Sequence, residues 1–69
     1  MTDVPKVEAV VTALSLVELL AGSPAPMRIK DLSDQLEMSP SKIYRHLSTL
    51  KTLGYLEQDP ATGRYYLTA

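Results

Sequence analysis

Apolar positions recur along this chain at helical spacing three times and then at strand spacing, and the change of period marks out its elements. From Val4 to Ala21, one apolar line runs through Ala9, Ala13, Leu16 and Leu20, and a second through Val7, Val10, Val11, Leu14, Val17 and Ala21. Together they span roughly 200° of a helix over residues 4–21, about twice the ~100° arc that one-sided burial needs. One line serves the domain's own core. The other is either wrapped by that small core or meets a partner, most simply the same helix of a second copy, because two-fold homodimers are the commonest assemblies.

Gly22-Ser-Pro-Ala-Pro26 ends this helix, since proline cannot continue it. Met27-Arg-Ile29 reads as a short extended piece, and Leu32 and Leu36, one turn apart, predict a second helix over residues 30–37 with Ile29 and Met38 at its ends. The third helix, over residues 40–53, has both ends specified. Ser39 suits the N-cap, Pro40 the first helical position, and Gly54 the left-handed stop. At 100° per residue Ile43, Leu47 and Leu50 share one side, with His46 and Leu53 at its edge. Ser41, Lys42, Tyr44, Arg45, Ser48, Thr49 and Thr52 occupy the other.

After Gly54 the period drops to two. Tyr55-Leu-Glu-Gln58 and Arg64-Tyr-Tyr-Leu-Thr68 flank Asp59-Pro-Ala-Thr-Gly63, which predicts a β-hairpin over residues 55–68, Pro60 presetting φ and Gly63 supplying the positive φ of a short connection. Leu56, Tyr65 and Leu67 would face the core, Tyr66 and Thr68 outward. The fold class is therefore mainly α with a small antiparallel hairpin, a winged helix-turn-helix of three helices plus wing filling residues 1–69 as one domain. In that arrangement the second helix of the motif enters the DNA major groove.

Charge both strengthens and tests this reading. A net charge of −1 and a pI of 5.6 lack the bulk basic footprint of most DNA-binding domains. Yet no Asp or Glu occurs between Glu37 and Glu57, so Lys42, Arg45 and Lys51 stand without sequence-local counter-charges. A merely solvated helix face is the plain alternative. Arg64, near the tip of the hairpin, is placed to reach a phosphate or the minor groove, unless the hairpin only covers the core. Arg28, Lys30 and Lys51 complete the candidate outer phosphate contacts.

Other chemistry has little to stand on. One His, no Cys, no phosphate-cradling glycine pattern and no evident pair of carboxylates give an enzyme no candidate catalytic residue and suggest neither metal nor cofactor. No apolar run reaches the ~18 residues of a membrane span, and the start lacks a secretory pattern, so the expected location is the cytoplasm. The rival from another class is a winged helix used for protein–protein docking or dimerisation, which an acidic pI suits.

Ala13-Leu-Ser-Leu-Val-Glu-Leu-Leu20, Ile29-Lys-Asp-Leu32, Ser41-Lys-Ile-Tyr-Arg45, Leu47-Ser-Thr-Leu50, Gly54-Tyr-Leu56 and Gly63-Arg-Tyr-Tyr-Leu67, in this order and spacing, resemble the N-terminal winged helix-turn-helix domain of IclR-type bacterial transcriptional regulators. The resemblance implies a repressor or activator domain that binds a palindromic double-stranded operator as a homodimer. Ser41, Tyr44 and Arg45 carry over as helix positions facing DNA, and Arg64 as a wing contact. Residues 4–21 carry over as a helix that helps to pair two copies, with Val7, Val10, Val11, Leu14 and Val17 the candidate interface. Family members also carry a C-terminal domain for a small-molecule effector, which this sequence does not contain. Three positions depart from the pattern. Glu37 replaces a favoured Gly, at a cost of about 1 kcal/mol if left-handed; Lys42 replaces Thr and adds a cation; His46 replaces Leu at the core edge.

Overall fold

The computed structural model describes residues 7–68. Three helices, α1 (Glu8–Gly22), α2 (Ile29–Leu36) and α3 (Pro40–Thr52), precede two short strands, β1 (Leu56–Gln58) and β2 (Tyr65–Leu67). The strands pair antiparallel in the register Leu56↔Leu67, Glu57↔Tyr66 and Gln58↔Tyr65. This is the winged helix expected from the sequence.

α1 starts after Val7, whose backbone is extended, and the start expected near residue 4 falls outside the described residues. Glu8 in the first turn suits the positive end of the helix dipole. The face that buries is the line Thr12, Leu16 and Leu20, flanked by the half-buried Ala13, Val17 and Leu19. Two expectations are thereby corrected. Ala9 shares the azimuth of Leu16 but stays exposed, because the first turns of α1 run past the end of the core; Thr12 is the buried residue of that turn, its hydroxyl donating to Met38 Sδ at 3.8 Å. Val17, assigned to the outward line, lies only about 100° from Leu16 and packs against the core.

α2 begins one residue earlier than expected. The Asp31 carboxylate accepts the Arg28 N–H at 3.3 Å, tying off a donor that the first turn leaves free, and so Ile29 is helical rather than extended. The helix ends at Glu37, with φ 55° and ψ 46°, and among the described residues this is the single non-glycine at positive φ. Ser33, buried beneath the turn, donates its hydroxyl to the Met38 carbonyl and accepts the Met38 N–H at its own carbonyl at 3.2 Å. The turn thus keeps its left-handed geometry despite Glu37, held by backbone bonds on both sides.

α3 is capped as its sequence predicts: Ser39 Oγ accepts the Lys42 N–H at 3.2 Å, Pro40 opens the helix, and Gly54 at φ 89° stops it. Ile43, Leu47 and Leu50 are buried and join Leu16, Leu20, Leu32, Leu56 and Tyr65 in one core. Leu53, placed at the edge of that face, is instead 65% exposed, because the chain turns away at Gly54 before reaching the core.

Met27 was expected to be extended and is more than that. Its N–H and carbonyl pair with Tyr65 at 2.9 and 2.8 Å, so β2 lies between β1 and a one-residue third strand. At the base of the hairpin Thr68 donates its hydroxyl to the Gly54 carbonyl at 2.8 Å and its N–H to the Tyr55 carbonyl at 3.2 Å. Both contacts fasten the wing to the end of α3.

Candidate nucleic-acid interface

The side of α3 turned away from the core carries Ser41, Tyr44, Arg45, Thr49 and Thr52 exposed, with Ser48 half-buried. Because Ile43, Leu47 and Leu50 are anchored in the core, this polar face is presented at a fixed rotation about the helix axis. Thr49 and Thr52 donate their hydroxyls to the carbonyls of Arg45 and Ser48 at 3.1 and 3.0 Å. Their protons are therefore spent within the helix, and what they offer a partner is a methyl group and an acceptor lone pair. Ser41 and Arg45 are free to donate.

Lys42 is placed differently. It is half-buried at the seam between α1 and α3, and its Nζ lies 3.6 Å from Glu8 Oε1. The sequence suggested a cation without a counter-charge; the fold supplies one from the first turn of α1. A shallow groove along this seam is lined by Ala9, Ala13, Lys42, Arg45, His46 and Leu53. His46 faces the same groove and its Nδ1 lies 2.9 Å from the Lys42 carbonyl, a packed, hydrogen-bonded side chain at the core edge as expected.

Among the described residues Arg28, Arg45, Lys51 and Arg64 make no ion pair, whereas Lys30 is bridged to Asp34 at 3.0 Å across one turn of α2. Lys51 sits in the last turn of α3, where the helix dipole favours a cation. Arg64 follows the turn rather than capping its tip. The tip is Pro60–Thr62, braced by the Asp59 carboxylate accepting the Ala61 N–H at 2.9 Å and by Gly63 at φ 75°, and Arg64 is half-buried beside it. Its carbonyl accepts the Asp59 N–H at 2.7 Å, which fixes the backbone from which the guanidinium extends. Beneath α3, burial and secondarily the Tyr44 phenol push the Tyr65 phenol above its ordinary pKa, so β2 contributes a neutral, packed side chain to this region.

Sequence reasoning missed Glu8 as part of this surface. No periodicity links the first turn of α1 to α3, and only the packing of the two helices brings Glu8 to Lys42. Among the described residues no group of His, Asp or Glu could hold a metal ion, and no helix is long and apolar enough to cross a membrane.

The profile of the IclR helix-turn-helix domain matches residues 9–60. The chain belongs to the IclR helix-turn-helix family. It is 37% identical over 62 residues to the transcriptional regulator KdgR of Escherichia coli, covering 90% of this chain and 23% of KdgR. It is 32% identical over 63 residues to the glycerol operon regulatory protein of Streptomyces coelicolor, covering 91% of this chain and 25% of that one. Among solved structures, an IclR transcriptional regulator from Alicyclobacillus acidocaldarius superposes with a TM-score of 0.86 over 94% of this chain and 26% of that one; at 23% identity the likeness speaks for the fold. HmgR of Pseudomonas aeruginosa superposes with a TM-score of 0.80 at 26% identity, over 88% of this chain and 25% of HmgR. The chain thus spans about a quarter of the length of the curated relatives it matches. KdgR is a transcriptional regulator, and the IclR helix-turn-helix domain of this chain is a DNA-binding domain.

Proposed function

We propose that this IclR-type domain reads a palindromic double-stranded operator as a homodimer, with α3 in the major groove and the wing against the backbone or minor groove, in the cytoplasm. The observation that carries the proposal is the outward face of α3, where an acid-free helix presents Arg45, unpaired among the described residues, between Ser41, Tyr44 and Ser48. Arg45 is the base-reading residue, since a guanidinium pairs bidentately with guanine O6 and N7 and discriminates by about 1–3 kcal/mol. Ser41, in the first turn of α3, donates its hydroxyl to a phosphate beside the free backbone N–H groups of the helix start. Tyr44 and Ser48 read groove shape and backbone, and Arg28, Lys30, Lys51 and Arg64 add phosphate contacts, which set affinity and register rather than sequence choice.

Two copies are paired through the outward side of α1. Val7, Val10, Val11 and Leu14 are 64%, 54%, 44% and 58% exposed, an apolar strip opposite the core line, and Val17 belongs to it only by its edge. A domain with few phosphate contacts and a net negative charge binds weakly as a monomer at physiological salt, so joining two half-sites is what makes the operator recognisable. A small-molecule effector would act through a further domain of the longer regulator.

A gel-shift titration tests the assignment. Arg45→Ala is expected to weaken a selected operator by about 1–3 kcal/mol and to flatten its base preference, whereas Lys51→Ala weakens all duplexes alike and lowers the salt slope by about one. Equal, negligible effects of both substitutions would remove α3 from the groove.

A further inference from the structure

Glu8 is an acid beside a surface that meets a polyanion, and its position requires a reason. Its Oε1 lies 3.6 Å from Lys42 Nζ, with the two side chains 81% and 43% exposed. The groove along the seam is lined by Ala9 and Ala13 of α1 and by Ser41, Lys42 and Arg45 of α3, so the pair ties the ammonium of a groove-lining lysine to the first turn of α1. Other acids are differently employed: Asp31 caps α2, Asp34 is bridged to Lys30, and Asp59 braces the wing turn.

We propose that Glu8 is a positioning residue for DNA binding, whose carboxylate holds Lys42 at the α1–α3 seam and competes with a DNA phosphate for its ammonium. The inference rests on the reading of α3 as the DNA-facing helix. In the free domain Lys42 is internally neutralised. On DNA the ammonium must leave Glu8 to meet a phosphate, so the ion pair is given up when the contact forms. Because an exposed ion pair is weak, the exchange is reversible and its effect moderate. Glu8 thereby lowers the affinity for all duplexes alike while leaving base reading by Arg45 untouched.

The test is a double-mutant cycle on the whole chain, read by fluorescence anisotropy with a labelled random-sequence duplex over ~50–200 mM KCl. Glu8→Gln is expected to tighten binding two- to fivefold, by about the worth of one exposed ion pair, and to steepen the log–log salt slope by up to ~0.9, the signature of one added phosphate contact. In a Lys42→Gln background the same substitution should change neither quantity. Glu18→Gln removes an identical charge from α1 about 15 Å further along the helix, beyond the ~10 Å Debye length at 0.1 M salt, and should bind like the parent. Melting curves of all four variants verify that each is folded. A gain from Glu8→Gln that persists without Lys42, or no gain in the parent background, overturns the role. If the parent binds and Arg45→Ala weakens selected operator while Glu8→Gln does nothing, only this inference falls. If the parent shows no salt-dependent binding, the DNA-facing reading fails and takes the inference with it.

Discussion

The outward faces of α1 and α3 are both left uncovered by the same core, yet they are built for different contacts. On α1 the exposed strip is Val7, Val10, Val11 and Leu14, without a hydrogen-bonding side chain among them; on α3 it is Ser41, Tyr44 and Arg45, with the half-buried Ser48 beside them, without a large aliphatic residue. A hydrocarbon strip gains by leaving water and has little directionality, so it suits a self-complementary surface. A face of hydroxyls and a guanidinium gains little from burial alone and much from placed acceptors, which duplex DNA supplies at its phosphates and base edges. On the proposed function, two helices of one small domain divide the labour, one for assembly and one for reading.

That division can be broken by substitutions confined to one face. Leu14→Glu puts a carboxylate in the centre of the α1 strip, where pairing would have to bury it unpaired. The expected result is a monomer in sedimentation velocity and a loss of at least tenfold in affinity for a two-half-site operator, with binding per chain to a random duplex little changed. Arg45→Ala should give the converse, an intact assembly with blunted base preference. If Leu14→Glu leaves the sedimentation coefficient unchanged, or if the parent is itself monomeric at concentrations where it binds operator, α1 is not the pairing surface.

A smaller effect separates each face from the scaffold behind it. Leu47 is fully buried and Leu53 is exposed, although both sit on the apolar side of α3 in a helical projection. Leu47→Ala should cost about 2–5 kcal/mol of stability by leaving a cavity in the core. Leu53→Ala should change the denaturation midpoint by less than about 0.5 kcal/mol. The comparison is checked by urea unfolding followed by circular dichroism, and similar losses for both would mean that Leu53 is covered in solution, most simply by a second copy.

These residues also show what the sequence could and could not disclose. Helix ends and the hairpin were legible because their causes are local: Ser39 and Pro40 start α3, Gly54 stops it, and Gly63 closes the turn. The core was legible where periodicity and depth agree, as at Leu16, Leu20, Ile43 and Leu47. Periodicity fails where an azimuth says nothing about how far the core extends. Ala9 and Leu53 point towards the apolar side but lie beyond its ends, and Thr12 is buried because Met38 gives its hydroxyl a partner. The polar face of α3, the candidate reading surface, was legible as a composition of polar residues on one side of one helix. The pairing of Glu8 with Lys42 was not, because it depends on how α1 crosses α3 and on no repeat within either.

Glu37 supplies the smallest test and the one most specific to how the α3 face is aimed. It holds the turn between α2 and α3 at φ 55°, where an L-residue with a Cβ is strained by about 1–2 kcal/mol. Gly removes that strain but adds freedom to the unfolded chain, which offsets about 0.4–1 kcal/mol of the gain. Glu37→Gly is therefore expected to stabilise the domain by about 0.5–1 kcal/mol, a rise of roughly 2–8 °C in melting temperature for a chain of this size. Glu37→Asn should fall between, since Asn tolerates the left-handed region better than Glu. Because Ser33 and the Met38 backbone already fix the turn, the direction of α3 should not change, and operator affinity and base preference should remain those of the parent. A glycine variant that gains stability but loses base discrimination would mean that the strained residue, and not the buried serine beneath it, sets the angle at which α3 meets DNA.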